Sequence, residues 1–386
     1  MRNSSLLITP VLACFAAVAQ GQVLTPVATG LNNPRGLAFG PSGILYVAEA
    51  GLGAGDGAGH AALGIGFTGS IGEILDVTSA HPVYRRIITG LASSDAMGVV
   101  GADGISPLGN GDIHIIMAES TAAILKDDPS ANPVLAGEFG RLLKSSQSGN
   151  WKVVGDVGDF DYQWAGQNKN QPWAPAGQFP DANPYAVLSV PGHQYVADAG
   201  SNTVDEVREN GAVRIIAFVP NPLLPFGPGG SLVPVSDSVP TCVALGADGF
   251  LYVGTLAFGA NFATHSPQSK VYRINPDSSD AILSDADVWA SGFNPITGCG
   301  FGAGAFYVTE FETAASSYHS GDVVRIALNP DGSAGARTHM GVGALVTPNG
   351  FAAGSDGSIY VSNFSVFAGV PPIGGGPVGE VVRVNQ

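Results

Sequence analysis

Short apolar runs, each broken by a tight cluster of Gly, Pro, Ser or Asp, recur along the whole chain. In NPRGLAFGPSGILYVAEA (residues 33–50) the run Leu37-Ala38-Phe39 meets the turn Gly40-Pro41-Ser42-Gly43, and a second β-rich run from Ile44 ends at Glu49. Turn glycines supply positive φ and Pro presets the second turn position, so the stretch predicts a β-hairpin. No segment shows sustained helical periodicity.

The same phrase returns as NPYAVLSVPGHQYVAD (183–198), VPTCVALGADGFLYVGT (239–255), NPITGCGFGAGAFYVTE (294–310) and TPNGFAAGSDGSIYVSN (347–363). A degenerate copy, GADGISPLGNGDIHIIM (101–117), carries His114 in place of the repeated Tyr and brings the copies to six. A third strand follows most hairpins, at 72–75, 204–208, 271–274, 321–326 and 379–384, and then a fourth, such as 84–89 or 212–219. Four antiparallel strands repeated six times predict an all-β fold, a six-bladed β-propeller. Repeat six ends after its third strand, whereas 22–29 form an orphan strand before the first hairpin, so the N-terminal strand is expected to complete the last blade. Each blade has only its neighbours to pack on, which makes 22–386 a single domain.

This topology sorts the chain into two faces. If each first strand runs from top to bottom beside the axis, the hairpin turns lie below. The lead-in segments that begin at Asn33, Asn183 and Asn294, with Val239-Pro240 and Thr347-Pro348, then lie above. The long insertions 51–69, 119–138, 156–181, 256–268, 311–320 and 364–377 also lie above, and long loops gathered on one face of a rigid scaffold are the usual seat of function.

The first residues change the cellular picture. Arg2, an apolar stretch over 6–19 and the small residues Ala17 and Ala19 read as a secretory signal peptide over 1–21, too short to span a bilayer. Export of a soluble, extracellular protein is the expectation. The net charge of −15 becomes one unit more negative without Arg2, which makes nucleic acid and anionic membrane poor partners. Charged residues are only 12% of the chain against 55 Gly and 27 Pro, which favours short strands and tight turns over solvated helices. Cys14 leaves with the signal. Cys242 and Cys299 remain, in the first strands of neighbouring repeats, where they form either a bridge or two buried apolar fillers.

These phrases, together with GDVGDFDYQ (155–163), NPYAVLSV…YVADAGSN and SVPTCVALGADGFLYVG, resemble the ScyD/ScyE family, named for proteins associated with scytonemin biosynthesis. The chain looks more distantly like NHL-repeat and SMP-30/gluconolactonase propellers. The resemblance implies a secreted six-bladed propeller linked to secondary metabolism and brings no catalytic residues with it. The second repeat departs from the family pattern by lacking both the Asn-Pro and the Tyr.

Candidate chemistry gathers on the upper rim. The residue three after the repeated Tyr is Glu49, Asp198, Thr255, Glu310 and Asn363, a partial ring of oxygen donors suited to Ca²⁺, or else a set of loop caps. His60, His265 and His319 fall in upper loops without the short spacing of a metal site, and His193 belongs to a lower turn. Tyr162, Trp164, Trp173 and Tyr185 form either an aromatic lid for a flat ligand or internal ballast for a long loop. The GxGxxG at 64–69 precedes a strand rather than a helix and lacks a βαβ setting. Asn363-Phe364-Ser365 is a glycosylation candidate that competes with a ring role for Asn363. These features favour a propeller that binds a small molecule or partner on its top face. The alternatives are a metal-assisted enzyme of the lactonase, hydrolase or cyclase type and an extracellular structural or interaction module.

Overall fold

Six sheets of four or five strands, with a small two-stranded one of Leu223–Leu224 and Val233–Pro234 beside them, follow one another along the chain in a computed structural model that describes residues 24–55, 64–95, 99–146, 149–174, 179–234, 236–313, 320–366 and 379–385. The segment 1–21 expected to be a signal peptide, His60 and His319 lie outside the described residues. Blade 1 is Pro34–Phe39, Leu45–Glu49, Ile65–Leu75 and Val83–Ser94; blade 2 is Ala102–Pro107, Asp112–Met117, Arg141–Ser146 and Trp151–Asp156. Blade 3 is Pro184–Val190, His193–Asp198, Thr203–Arg208 and Val213–Phe218, with the short parallel strand Ala281–Ile282 at its edge. Blade 4 is Pro240–Leu245, Leu251–Thr255, Ser269–Ile274 and Val288–Phe293, and blade 5 is Ile296–Gly302, Ala305–Glu310, Gly321–Leu328 and Ala334–Leu345. Blade 6 joins Phe351–Ala353, Ile359–Asn363 and Gly379–Val384 to the N-terminal strand Leu24–Leu31, so the ends of the chain close the ring as the repeat pattern requires.

The repeated apolar positions fill the seams between blades. Tyr46, Tyr252, Tyr307 and Tyr360 are at most 3% exposed, and the Val that follows each is fully buried. Tyr360 and Val381 of blade 6 share one cluster with Leu37 and Leu45 of blade 1, so the hydrophobic contact is between blades as much as within them. His114, where a Tyr stands elsewhere, is 2% exposed and pairs with Ser189 Oγ of blade 3 at 3.0 Å. Burial pushes its imidazole down to about 4, which keeps it neutral and structural.

The first strands meet around the axis, the last against the first. Their close approach explains the glycine after the bulge in several copies: a Cβ on Gly36 would sit 2.9 Å from Asp103 O, and one on Gly350 would sit 2.3 Å from Arg35 O. Threonine hydroxyls tie neighbouring strands, Thr241 Oγ1 donating to Ile296 O at 2.6 Å and Thr297 Oγ1 to Pro348 O at 2.8 Å. Cys242 and Cys299 are bonded to each other across the first strands of blades 4 and 5, on the wall of the axial channel.

Helices appear where the apolar pattern predicts none. Thr121–Asp127, Pro133–Ala136, Gly158–Asn168 and Phe258–Thr264 all sit in upper insertions. The segment GDFDYQWAGQN has no apolar stripe, and its buried residues are Gly158, Asp161 and Ala165, so tertiary contact rather than amphipathic periodicity sustains it. Among the described residues no helix is long and apolar enough to cross a membrane.

Candidate functional site

Each first strand of blades 1 to 5 carries a register shift near its upper end, between Pro34 and Leu37, Ala102 and Gly104, Pro184 and Ala186, Pro240 and Cys242, and Ile296 and Gly298. A bulge re-aims one side chain out of the sheet's alternation. The residues so placed are Arg35, Asp103, Tyr185, Thr241 and Thr297, and Asn349 holds the corresponding place ahead of the first strand of blade 6. All six line one pocket of about 390 Å³ at the upper mouth of the axial channel. Its wall is apolar, from Val99, Val239, Leu256, Phe258, Phe311 and Val366. Below it the channel narrows to about 80 Å³. Grooves of about 620 and 650 Å³ between hairpin turns are larger, but each serves two neighbouring blades, whereas the upper pocket draws a side chain from all six.

The polar floor of the pocket is incompletely paired. Arg35 and Asp103 are 4% and 2% exposed and lie 3.8 Å apart, Nε to Oδ1, a distance beyond hydrogen bonding. One guanidinium nitrogen donates to Val99 O at 2.6 Å, while Arg35 Nε and both Asp103 oxygens have no hydrogen-bond partner. Burial pushes the Asp103 carboxyl up to about 6, against the pull of Arg35. Asn349 Nδ2 donates across the axis to the Tyr185 hydroxyl. Apolar walls around a few convergent polar groups are the ordinary make-up of a small-molecule site.

The sequence-derived ring does not form such a site, because each member is turned to backbone or side chains of its own blade. Glu49 accepts from Asn32 N at 2.6 Å, Ser70 Oγ at 2.9 Å and Arg86 Nε at 2.8 Å, and also from the Tyr84 hydroxyl. Asp198 Oδ1 accepts from the backbone N–H of Asn183, Gly200 and Ser201. Thr255 Oγ1 accepts from Lys270 N at 3.0 Å, and Glu310 accepts from Asn294 N at 2.9 Å and Asn294 Nδ2 at 2.6 Å. Asn363 Oδ1 accepts from Val346 N at 2.7 Å while its Nδ2 donates to Glu380 at 2.9 Å. They act as loop caps, and a Ca²⁺ shell shared by all five is not built from them, although Glu310 also stands with Asp322 and His339 in a group able to hold a metal ion. At 1% exposure, with its amide nitrogen engaged, Asn363 also leaves no room for a glycan in the folded protein.

Other candidates are redistributed as well. Asn33 Nδ2 donates to Gly51 O and Asn183 Oδ1 accepts from Glu119 N, so the lead-in asparagines brace the upper loops. Trp164 and Trp173 stack at 5.6 Å and both pack on the buried Phe218 of blade 3, which makes them ballast for the long loop. Tyr162 is half-buried on the same helix, and Tyr185 leaves the aromatic group for the pocket floor. His265 ends the helix Phe258–Thr264 in the left-handed region and is exposed.

A buried acidic group stands beside the pocket. Asp161, Asp198 and Asp205 are all 0% exposed, and one oxygen of each lacks a hydrogen-bond partner. Burial and mutual repulsion hold Asp161 and Asp205 well above the usual carboxylate range, and burial raises Glu119 to about 8 and Asp181 to about 6. Acids raised in the folded state bind protons more tightly there than in the unfolded chain. Their contribution is therefore complete below the ordinary carboxylate range and is lost as pH rises through about 6 to 8. Thermal melts are expected to show stability falling as pH rises from about 5 to 8, by about 1.4 kcal/mol per pH unit for each such proton still bound in the folded state. Asp161→Asn supplies two N–H donors beside Asp198 and Asp205 and is expected to stabilise the protein by about 1–2 kcal/mol at pH 7.5 while flattening that slope. An unchanged slope would mean that these carboxyls do not share protons.

Comparison with known proteins gives a likeness of fold. The PQQ-bound form of an aldose sugar dehydrogenase from Streptomyces coelicolor superposes with a TM-score of 0.53 at 16% identity, covering 94% of this chain and 98% of that one. A glucose dehydrogenase superposes with a TM-score of 0.51 at 13% identity, covering 94% and 99%. No protein-family model and no curated protein sequence matches the chain. Identities this low establish the six-bladed architecture and carry no activity with them.

Proposed function

We propose that the protein is a secreted propeller that binds a small organic molecule in the central pocket of its upper face, a polar end of the ligand against Arg35 and Asp103. The carrying observation is that six blades converge on one pocket whose floor holds buried, unpaired polar atoms. Such an atom costs about 1–3 kcal/mol when it lacks a partner, and a bound polar group would recover part of that. The apolar wall favours a ligand with an apolar or aromatic body. Secretion rests on the leader, and a link to secondary metabolism rests on the resemblance to the ScyD/ScyE family.

The test is a thermal-shift and calorimetric screen of the mature protein against small aromatic carboxylic acids, phenols and lactones. A true ligand at a hundred times its Kd is expected to add about 2.7 kcal/mol of stability. That gain is expected to vanish in Leu256→Trp, which extends a half-buried wall residue into the pocket. A ligand that binds Leu256→Trp as it binds the wild type lies elsewhere, and the reading fails.

A second reading, an enzyme of the lactonase or cyclase kind, is favoured by Asp103, whose carboxyl at about 6 is poised to accept a proton near neutral pH. Turnover of a lactone that is lost in Asp103→Asn, with binding retained, would put this reading first.

A further inference from the structure

Blades 1 and 5 solve the same electrostatic problem with different residues. Glu49 and Glu310 end the second strands of their blades and are 0% and 1% exposed. Across the ladder Glu49 faces Ser70, and Glu310 faces Asp322. Two residues on along the third strand, Gly72 pairs with Arg86 of the outer strand in blade 1, and Val324 pairs with His339 in blade 5. Register therefore makes Arg86 and His339 equivalents. In blade 1 the guanidinium reaches both oxygens of Glu49, at 2.8 and 2.6 Å, and supplies the cation that the buried carboxylate needs. Blade 5 has one more carboxylate and no guanidinium in that place.

The blade 5 groups are arranged as ligands. One carboxylate oxygen each from Glu310 and Asp322 and one imidazole nitrogen of His339 all lie within 4.8 Å of one another; each Glu310 oxygen accepts one hydrogen bond from Asn294 and keeps a second lone pair for an ion. Asp322 Oδ2 is 2.7 Å from His339 Nδ1, and its other oxygen, on a side chain only 2% exposed, has no hydrogen-bond partner. The His339 side chain is 52% exposed, so the set opens to solvent on one side. Two buried carboxylates and one accessible imidazole are the donor set of Zn²⁺ and similar first-row divalent ions, with a further position left for water, whereas Ca²⁺ takes oxygen ligands.

We infer that Glu310, Asp322 and His339 form a site for a first-row divalent metal ion of the Zn²⁺ class on the upper rim of blade 5, where the ion takes the electrostatic role that Arg86 plays in blade 1. The site lies apart from the central pocket and stands or falls independently of the small-molecule reading.

Calorimetric titration of the EDTA-stripped, dialysed protein with Zn²⁺ at pH 7.5 is expected to give one ion per chain. Binding is expected to weaken at least tenfold in His339→Ala and in Asp322→Asn. It is expected to stay unchanged in His193→Ala, which removes another exposed His–carboxylate pair, to Glu206. Co²⁺ in place of Zn²⁺ is expected to give visible d–d bands that His339→Ala abolishes. His339→Arg, which transfers the blade 1 solution, is expected to abolish Zn²⁺ binding and to melt above the metal-free wild type. Absence of Zn²⁺ binding by the folded wild type, or binding that is equal in wild type and His339→Ala, overturns the inference.

Discussion

Arg35→Leu is expected to destabilise the protein by about 3–5 kcal/mol in urea denaturation at pH 8, because it strands the carboxylate of Asp103 in the pocket floor without its cation. Both side chains are almost fully buried, so water cannot take over the guanidinium's role. The double variant Arg35→Leu/Asp103→Leu removes the charge as well as its partner and is expected to recover most of the loss. The penalty of the single variant is also expected to shrink at pH 5. Asp103 already sits at about 6 beside Arg35 and moves higher without it, so protonation at pH 5 neutralises the stranded group. Equal loss at pH 5 and pH 8, with no recovery in the double variant, would mean that Arg35 acts through packing and that the floor is not electrostatically poised.

The bridge between Cys242 and Cys299 is expected to contribute about 4 kcal/mol, the chain-entropy value for a loop that closes across 57 residues. It fastens the first strands of blades 4 and 5 beside the channel, so its loss loosens the seam from which Thr241 and Thr297 reach the pocket. The double variant Cys242→Ala/Cys299→Ala is expected to unfold at correspondingly lower denaturant and to bind pocket ligands more weakly, while the wild type is expected to respond to reductant in the same direction. Coincident unfolding curves for variant and wild type would remove the bridge from the list of things that hold this ring together.

The blades were legible because their signals are local. Turn chemistry at Gly40-Pro41-Ser42-Gly43 and its copies, and the apolar Tyr-Val runs after it, act over a few residues and recur with a readable period. The missing fourth strand of repeat six, set against the orphan strand at the N-terminus, even predicted how the ring closes. The helix Gly158–Asn168 was not legible, since a segment without an apolar stripe becomes helical only in contact with the blade beneath it.

The pocket was half-legible. Its address, the residue after Pro in the lead-in, is visible as Arg35, Tyr185, Thr241 and Asn349, with Asp103 in the degenerate copy and Thr297 one position later in blade 5. No residue type repeats there except Thr, so attention falls instead on the more uniform acids and amides three residues after Tyr. Those turned out to be uniform because they cap the same loop in blade after blade.

By itself the sequence determined the strands, the turns, the six-fold repetition and the closure of the last blade, because each depends on neighbours within a hairpin or on counting. Only the tertiary structure decided which side chains converge on the axis, that Cys242 meets Cys299, and that Glu49 has Arg86 for a partner while Glu310 has Asp322 and His339. Convergence is set by bulges and ring closure, and the partner of a buried charge is chosen across strands far apart in the chain, so neither leaves a local periodicity to read.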